Sequence, residues 1–190
     1  MKSWKTTPLT FYKNQIICED TGSSFFESEV MMDWEDPIMS ASSAYITEGG
    51  GDILEVGFGM GISANYIQSH NISSHTIIEN HPQVIEKAIE WSKDKSNVTI
   101  ISESWYDVRD SLETYDGILF DTYGDEDMCM FSSSLSCWCK PGTKVTWWNN
   151  ETSETNFHNI SNVTYQSISV NPPENTYFNS TTSYLPKKEF

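Results

Sequence analysis

From Asp52 onward, short apolar runs alternate with amphipathic stretches, and that alternation leaves few folds open to the chain. Residues 53–56, 75–79, 98–101, 115–120 and 143–148 each read as a short strand. Residues 62–68 and 128–138 read as helices, and a further helix starts at Pro82, where Val84 and Ala88, then Ile85 and Ile89, lie four apart. Residues 163–170 and 177–182 read as a sixth and seventh strand, close enough in sequence to pair antiparallel. Strands that alternate with helices imply a mostly parallel sheet covered on both faces. The expectation is therefore an α/β fold whose sheet has seven strands, the last of them antiparallel. Upstream, Met31, Trp34, Ile38 and Met39 fall close to one face of a helix starting at Val30, with Pro37 in its first turn or breaking it. Residues 1–29 are polar without sustained periodicity and read as an irregular arm with a short helix, leaving 30–190 as a single domain.

Charge narrows the partners. Eleven Lys and Arg stand against 27 Asp and Glu, for a net charge of −16, and Arg109 is the sole arginine. Without a basic stripe there is no electrostatic footprint for a phosphate backbone, so nucleic acid is not an expected partner. An anionic membrane surface is disfavoured for the same reason, and no segment approaches ~20 apolar residues. The first twenty residues lack the apolar stretch of a signal peptide, so the chain reads as soluble and cytoplasmic. Cys18, Cys129, Cys137 and Cys139 match no zinc spacing and read as reduced, mostly buried thiols; no metal is expected.

The run Asp52-Ile-Leu-Glu-Val-Gly57-Phe58-Gly59-Met60-Gly61 is a strand, then glycines at every second position, then a helix. Glycines there let the backbone turn sharply and approach a ligand, while the helix start offers free N–H groups. The spacing is not that of the dinucleotide fingerprint, because Ile62 stands where its last glycine belongs. A smaller cofactor carrying a carboxylate and a ribose suits it better. Glu79 closes the second strand, 22 residues after Gly57, in a place suited to accept hydrogen bonds from ribose hydroxyls. Asp121 emerges from the apolar strand 115–120 at the sheet edge, either facing a ligand crevice or capping the next helix. The pair Trp147-Trp148 is suited either to walling a pocket or to packing in the core, and the same holds for Trp34.

Five motifs occur in a fixed order: Val30-Met-Met-Asp-Trp-Glu35 with Pro37 and Met39, Leu54 to Met60, His75 to Glu79, Trp105-x-Asp107-Val108, and Tyr115 to Tyr123. Together they resemble the guanidinoacetate N-methyltransferase family and its relative, the arginine δ-N-methyltransferase of fungi. The resemblance covers residues 30–150 and returns weakly at Pro172-Pro173 and Tyr177-Phe178. It implies a class I methyltransferase, Rossmann-like, that binds S-adenosylmethionine. On that resemblance Met31 and Met39 line the methionine end, and Gly57, Phe58, Gly59, Met60, Gly61 and Ile62 form the cofactor loop. Glu79 holds the ribose, and Ser104 and Trp105 lie beside the adenine. Glu35 and Asp121 grip a guanidino group, and Thr152 and Ser153 face the substrate carboxylate. The implied substrate is a small guanidine such as guanidinoacetate, with arginine, free or in a protein, as the alternative. A third alternative is a protein that binds the cofactor without turnover.

The chemistry makes a paired carboxylate sensible. A guanidinium, with a pKa above about 12, has no lone pair available for attack. Two carboxylates hold it through charge-assisted hydrogen bonds and aim one nitrogen at the methyl donor. One of them must accept a proton as the N–C bond forms, a role that falls to Asp121 with Glu35 as the orienting partner.

Overall fold

The computed structural model describes residues 4–19, 27–123, 127–156 and 158–190. Its main sheet has seven strands: β4 (Asp52–Val56), β5 (Ser74–Ile78), β6 (Val98–Ile101), β7 (Tyr115–Phe120), β8 (Cys139–Trp147), β9 (Thr164–Ser169) and β10 (Thr182–Glu189). They lie in the order β6-β5-β4-β7-β8-β10-β9. The first five run parallel, and β10 is antiparallel to both β8 and β9. This is the expected α/β sheet with its last strand antiparallel.

Alternation along the strands divides the core. Leu54, Val56, Ile78, Ile118, Phe120 and Val145 meet Phe131, Leu135 and Trp138 of helix α5 (Phe131–Trp138) on one face, beside the four-residue helix α4 (Trp105–Val108). On the other face Ile53 and Leu119 pack against Ile46 of α1 (Asp36–Ile46) and Ile67 of α2 (Ile62–Ser69), while Ile77 packs against Val84 and Ala88 of α3 (Pro82–Ser92). Each buried aliphatic side chain here contributes about 1.5–3 kcal/mol relative to exposure. Among the described residues, no helix is long and apolar enough to cross a membrane.

Four expectations need correction. The N-terminal stretch is not irregular: β1 (Leu9–Phe11), β2 (Gln15–Glu19) and β3 (Glu27–Met32) form an antiparallel sheet, preceded by one tight turn at Trp4–Thr6. Leu9, Ile16 and Cys18 turn inward against Phe58, Ala64 and Val84, an alternation too short to stand out from the polar residues around it. The helix does not start at Val30, because Val30 to Met32 belong to β3 and a tight turn, Asp33–Glu35, precedes α1. Pro37 takes the first turn of α1, where its missing N–H is no loss.

The seventh strand begins where 177–182 was expected to end. Pro186 lies inside it, which a sequence reading counts against a strand. The ladder between β10 and β8 spans only Lys188 and Glu189, and at Pro186 the Thr146 hydroxyl donates to the proline carbonyl at 2.6 Å instead. A residue without an N–H is tolerated there. Cys129 and Cys137 are exposed, against the expectation of mostly buried thiols.

Candidate active site

Register brings the chemistry together. Val56 lies opposite both Ile78 and Phe120, so the next residues, Gly57, Glu79 and Asp121, emerge side by side at the carboxyl edge. The ladder runs one step further through Gly57 N–H to the Ile78 carbonyl and Asp121 N–H to the Val56 carbonyl, both at 2.9 Å. From β4 the chain winds outward to β5 and β6, then returns to β7 on the other side of β4. That reversal is the switch point where such sheets bind ligands. A cavity of about 380 Å³ opens there, a volume suited to a small molecule.

Gly57 and Gly59 are both in the left-handed region, with φ of 95° and 52°. A Cβ on Gly57 would lie 1.8 Å from the Asp121 carbonyl oxygen, and one on Gly59 would lie 2.5 Å from the Met31 sulfur. Only a bare backbone lets this loop, β7 and Met31 close on the same space. Glu79 ties the loop to β5: Phe58 N–H donates to its Oε2 at 3.0 Å, while Asn80 and His81 N–H donate to Oε1 at 2.8 and 2.9 Å. Behind the loop, buried Glu55 accepts from the Ser63 hydroxyl and pairs with His75 Nε2 at 2.9 Å.

Glu35 and Asp121 line the same cavity from different elements, the turn before α1 and the end of β7. Glu35 is only 3% exposed. Burial, and then the charge of Asp121, push its carboxyl up to about 8, against hydrogen bonds from Tyr177 and Met32 that pull the other way. Burial, then the charges of Glu55 and Glu79, push Asp121 up to about 7. Each carboxyl thus holds a proton at pH values where an exposed one would not.

The cavity gathers Glu35, Glu79, Asp121, Met31, Trp105 and the Gly57–Phe58–Gly59 loop. Other expected residues lie elsewhere. Met39 is buried in α1 at 1% exposure, Met60 packs behind Phe58, Gly61 and Ile62 open α2, and Ser104 caps α4. Thr152 and Ser153 are exposed in the loop after β8. There the Asn149 amide bonds the Ser153 and Tyr184 carbonyls, and Asn150 is the loop residue on the cavity wall. Of the tryptophan pair, Trp148 lines the cavity and Trp147 belongs to the core. Trp34 is buried and stacks on Phe178 at 5.3 Å. Sequence reasoning did not single out Glu29, Glu103 or Tyr177 as site residues, although all three line the cavity. For Tyr177 the signal was present in the Pro172-Pro173 … Tyr177-Phe178 pattern.

A sequence profile described as guanidinoacetate N-methyltransferase matches residues 2–136. The protein arginine N-methyltransferase 2 of Yarrowia lipolytica is 33% identical over 132 residues, covering 62% of this chain and 28% of that protein. That of Kluyveromyces lactis is 40% identical over 107 residues, covering 50% of this chain and 26% of its own length. The chain thus spans about a quarter of the length of these relatives. Spermidine synthase from Thermotoga maritima superposes with a TM-score of 0.65 at 12% identity, over 96% of this chain and 72% of that one. Precorrin-6y C5,15-methyltransferase from Geobacter metallireducens gives 0.61 at 12% identity, over 88% and 91%. At such identities the structural likenesses speak to the fold.

Proposed function

The chain belongs to the guanidinoacetate N-methyltransferase family, and on that premise we propose that it methylates the guanidino group of an arginine side chain. The family's cofactor, S-adenosylmethionine, supplies an electrophilic methyl group when bound. The donor set here fits it. The Gly57–Gly59 backbone leaves room that a side chain would fill, and Glu79 Oε2, which among the described residues accepts a single backbone N–H, keeps a lone pair for a ribose hydroxyl. Trp105 offers an apolar wall for a purine, and a cavity lined by carboxylates favours a cationic ligand.

The observation that carries the reading is the placement of Glu35 and Asp121, both with raised proton affinity, in the lining of one cavity. A guanidinium entering between them replaces the missing counter-charge, so both carboxyls ionise and grip its planar fork. Asp121, with its carboxyl near neutrality, is suited to take the proton that the attacking nitrogen must lose. Glu35 orients the fork.

Arginine is favoured over guanidinoacetate by what surrounds the pair. Glu29, Glu35, Glu79, Glu103 and Asp121 line the cavity, and among the described residues lining it there is no Lys, Arg or His. A carboxylate a few atoms from the guanidinium finds no counter-charge there, whereas an arginine side chain leaves its backbone outside. Guanidinoacetate is the second reading, supported by the family profile and by the Asn150 amide on the wall.

A panel with methyl-labelled cofactor tests the choice, using an end-capped arginine peptide, free arginine and guanidinoacetate. The expected order of kcat/KM is peptide first and guanidinoacetate last, by at least about a hundredfold, the scale on which an unpaired buried charge discriminates. Faster transfer to guanidinoacetate overturns the arginine reading. Cofactor binding without transfer to any guanidine overturns the enzymatic one.

A further inference from the structure

Glu35 does not meet the cavity as a free carboxylate. Its Oε1 accepts the Met32 N–H at 2.8 Å, closing the turn before α1, and also the Tyr177 hydroxyl at 2.5 Å. Both donors converge on one oxygen, and among the described residues Oε2 takes no hydrogen bond. We infer that Tyr177 is the positioning residue for Glu35: its phenol occupies one carboxylate oxygen and so commits the other to the acceptor's guanidinium. The inference rests on reading Glu35 as an acceptor ligand.

Tyr177 is itself fastened. Its ring lies 5.8 Å from Trp34 and 6.2 Å from Trp148. Asn175 Oδ1 accepts from the backbone N–H of Tyr177 and Phe178 at 3.0 and 2.8 Å, and its amide donates to the Phe178 carbonyl at 2.7 Å. One residue earlier, the Thr176 hydroxyl and N–H both donate to Glu29 Oε2, at 2.6 and 3.2 Å. The segment 172–178 therefore straps the acceptor side of the cavity to β3 and to the turn carrying Glu35. It also lies outside residues 2–136, the part that matches the family profile. An acceptor-binding carboxylate in the matched part is thus oriented from the unmatched part.

The phenol is a dependable donor. Burial, and then the Glu35 charge, hold its proton well above the ordinary tyrosine range, so it stays neutral at any working pH. Among the described residues, the charged groups that line the cavity with Glu35 are all acidic: Asp121 from the end of β7, Glu79 from the end of β5, Glu29 from β3, and Glu103. Against that field, the Tyr177 and Met32 hydrogen bonds are what favour the ionised form of Glu35.

Tyr177→Phe keeps the ring and removes the donor. In the ligand-free protein, a carbon-13 titration of glutamate carboxyls, with Glu35→Gln to assign the signal, reads the proton affinity of Glu35 directly. It is expected to rise roughly tenfold or more, the scale of a lost hydrogen bond to a charged group. In turnover the acceptor KM is expected to rise by a similar factor, with its acidic limb moved to higher pH and cofactor affinity unchanged. A ring that acts only by packing moves neither the titration nor the KM. An unchanged acceptor KM overturns the positioning role, and so does an unchanged Glu35 titration. If the wild-type protein methylates no guanidine, the functional reading fails on its own, and the titration still decides whether Tyr177 controls Glu35.

Discussion

Asp121 and Glu35 share one planar cation in this reading, yet their surroundings divide the work. Asp121→Asn keeps the shape and removes the base, so kcat is expected to fall by at least ~10²-fold with cofactor affinity little changed. Glu35→Gln removes grip more than basicity, so it is expected to raise the acceptor KM more than it lowers kcat; the reverse pattern exchanges the roles. The same carboxyls set a pH dependence of stability. Both have folded-state affinities raised above their ordinary values, Glu35 from 4.5 to about 8 and Asp121 from 3.8 to about 7. The fold therefore binds their protons more tightly than the unfolded chain. Their contribution is complete below pH ~4 and is lost as pH rises toward 7–8, where the folded pair finally ionises. Ligand-free Asp121→Asn is accordingly expected to unfold at a higher temperature than wild type at pH 8, with the gain shrinking toward pH 4. A gain independent of pH argues against a proton-holding Asp121. Glu79 is proposed for the cofactor side: Glu79→Gln is expected to weaken S-adenosylmethionine binding ten- to a hundredfold by calorimetry, and an unchanged constant places the ribose elsewhere.

At the scale of elements, the parts that were legible are those whose backbone or burial leaves one solution. β4 to β7 are short, largely apolar runs bounded by Gly, Pro or polar turns, so their positions and mostly parallel sense could be read directly. From them Gly57, Glu79 and Asp121 could each be placed at the end of a strand, and the strand order that sets them side by side came from the structure. β1 and β2 were not legible, because three to five residues with polar alternates carry too little periodicity to distinguish a strand from a loop. β10 was displaced in the reading because Pro186 argues locally against a strand that Thr146 supports from across the sheet. Tyr177 was absorbed into that misplaced strand, and its contact with Glu35 spans 142 positions, beyond the reach of any local pattern. The Gly57 turn tests the best-read element. A methyl group there meets the Asp121 backbone at 1.8 Å in a left-handed conformation, so neither side-chain repacking nor a rotamer change relieves it. Gly57→Ala is expected to cost at least about 2 kcal/mol in urea unfolding. A neutral result means the turn and β7 are not so close.

For the whole molecule, the net charge of −16 and the acidic cavity act in the same direction. Composition alone spoke against phosphate backbones as partners, and it left open whether the negative charge served anything beyond solubility. The five cavity carboxylates answer part of that, since gathering them without basic partners, Glu35 and Glu79 of them buried, lowers stability unless a cation completes the site. A cationic acceptor is then attracted at long range by the surface and held at short range by Glu35 and Asp121. These two contributions differ in their response to salt. The long-range part is screened over a Debye length of ≈ 8 Å at physiological ionic strength, while the partly buried pair is screened much less. For an arginine peptide flanked by lysines, kcat/KM is therefore expected to fall severalfold between low and high salt with kcat nearly constant. A peptide flanked by glutamates should begin lower and converge on the first as salt rises. Parallel salt dependence for both peptides rules out steering by the surface. A fall in kcat itself moves the sensitivity into the carboxylate pair.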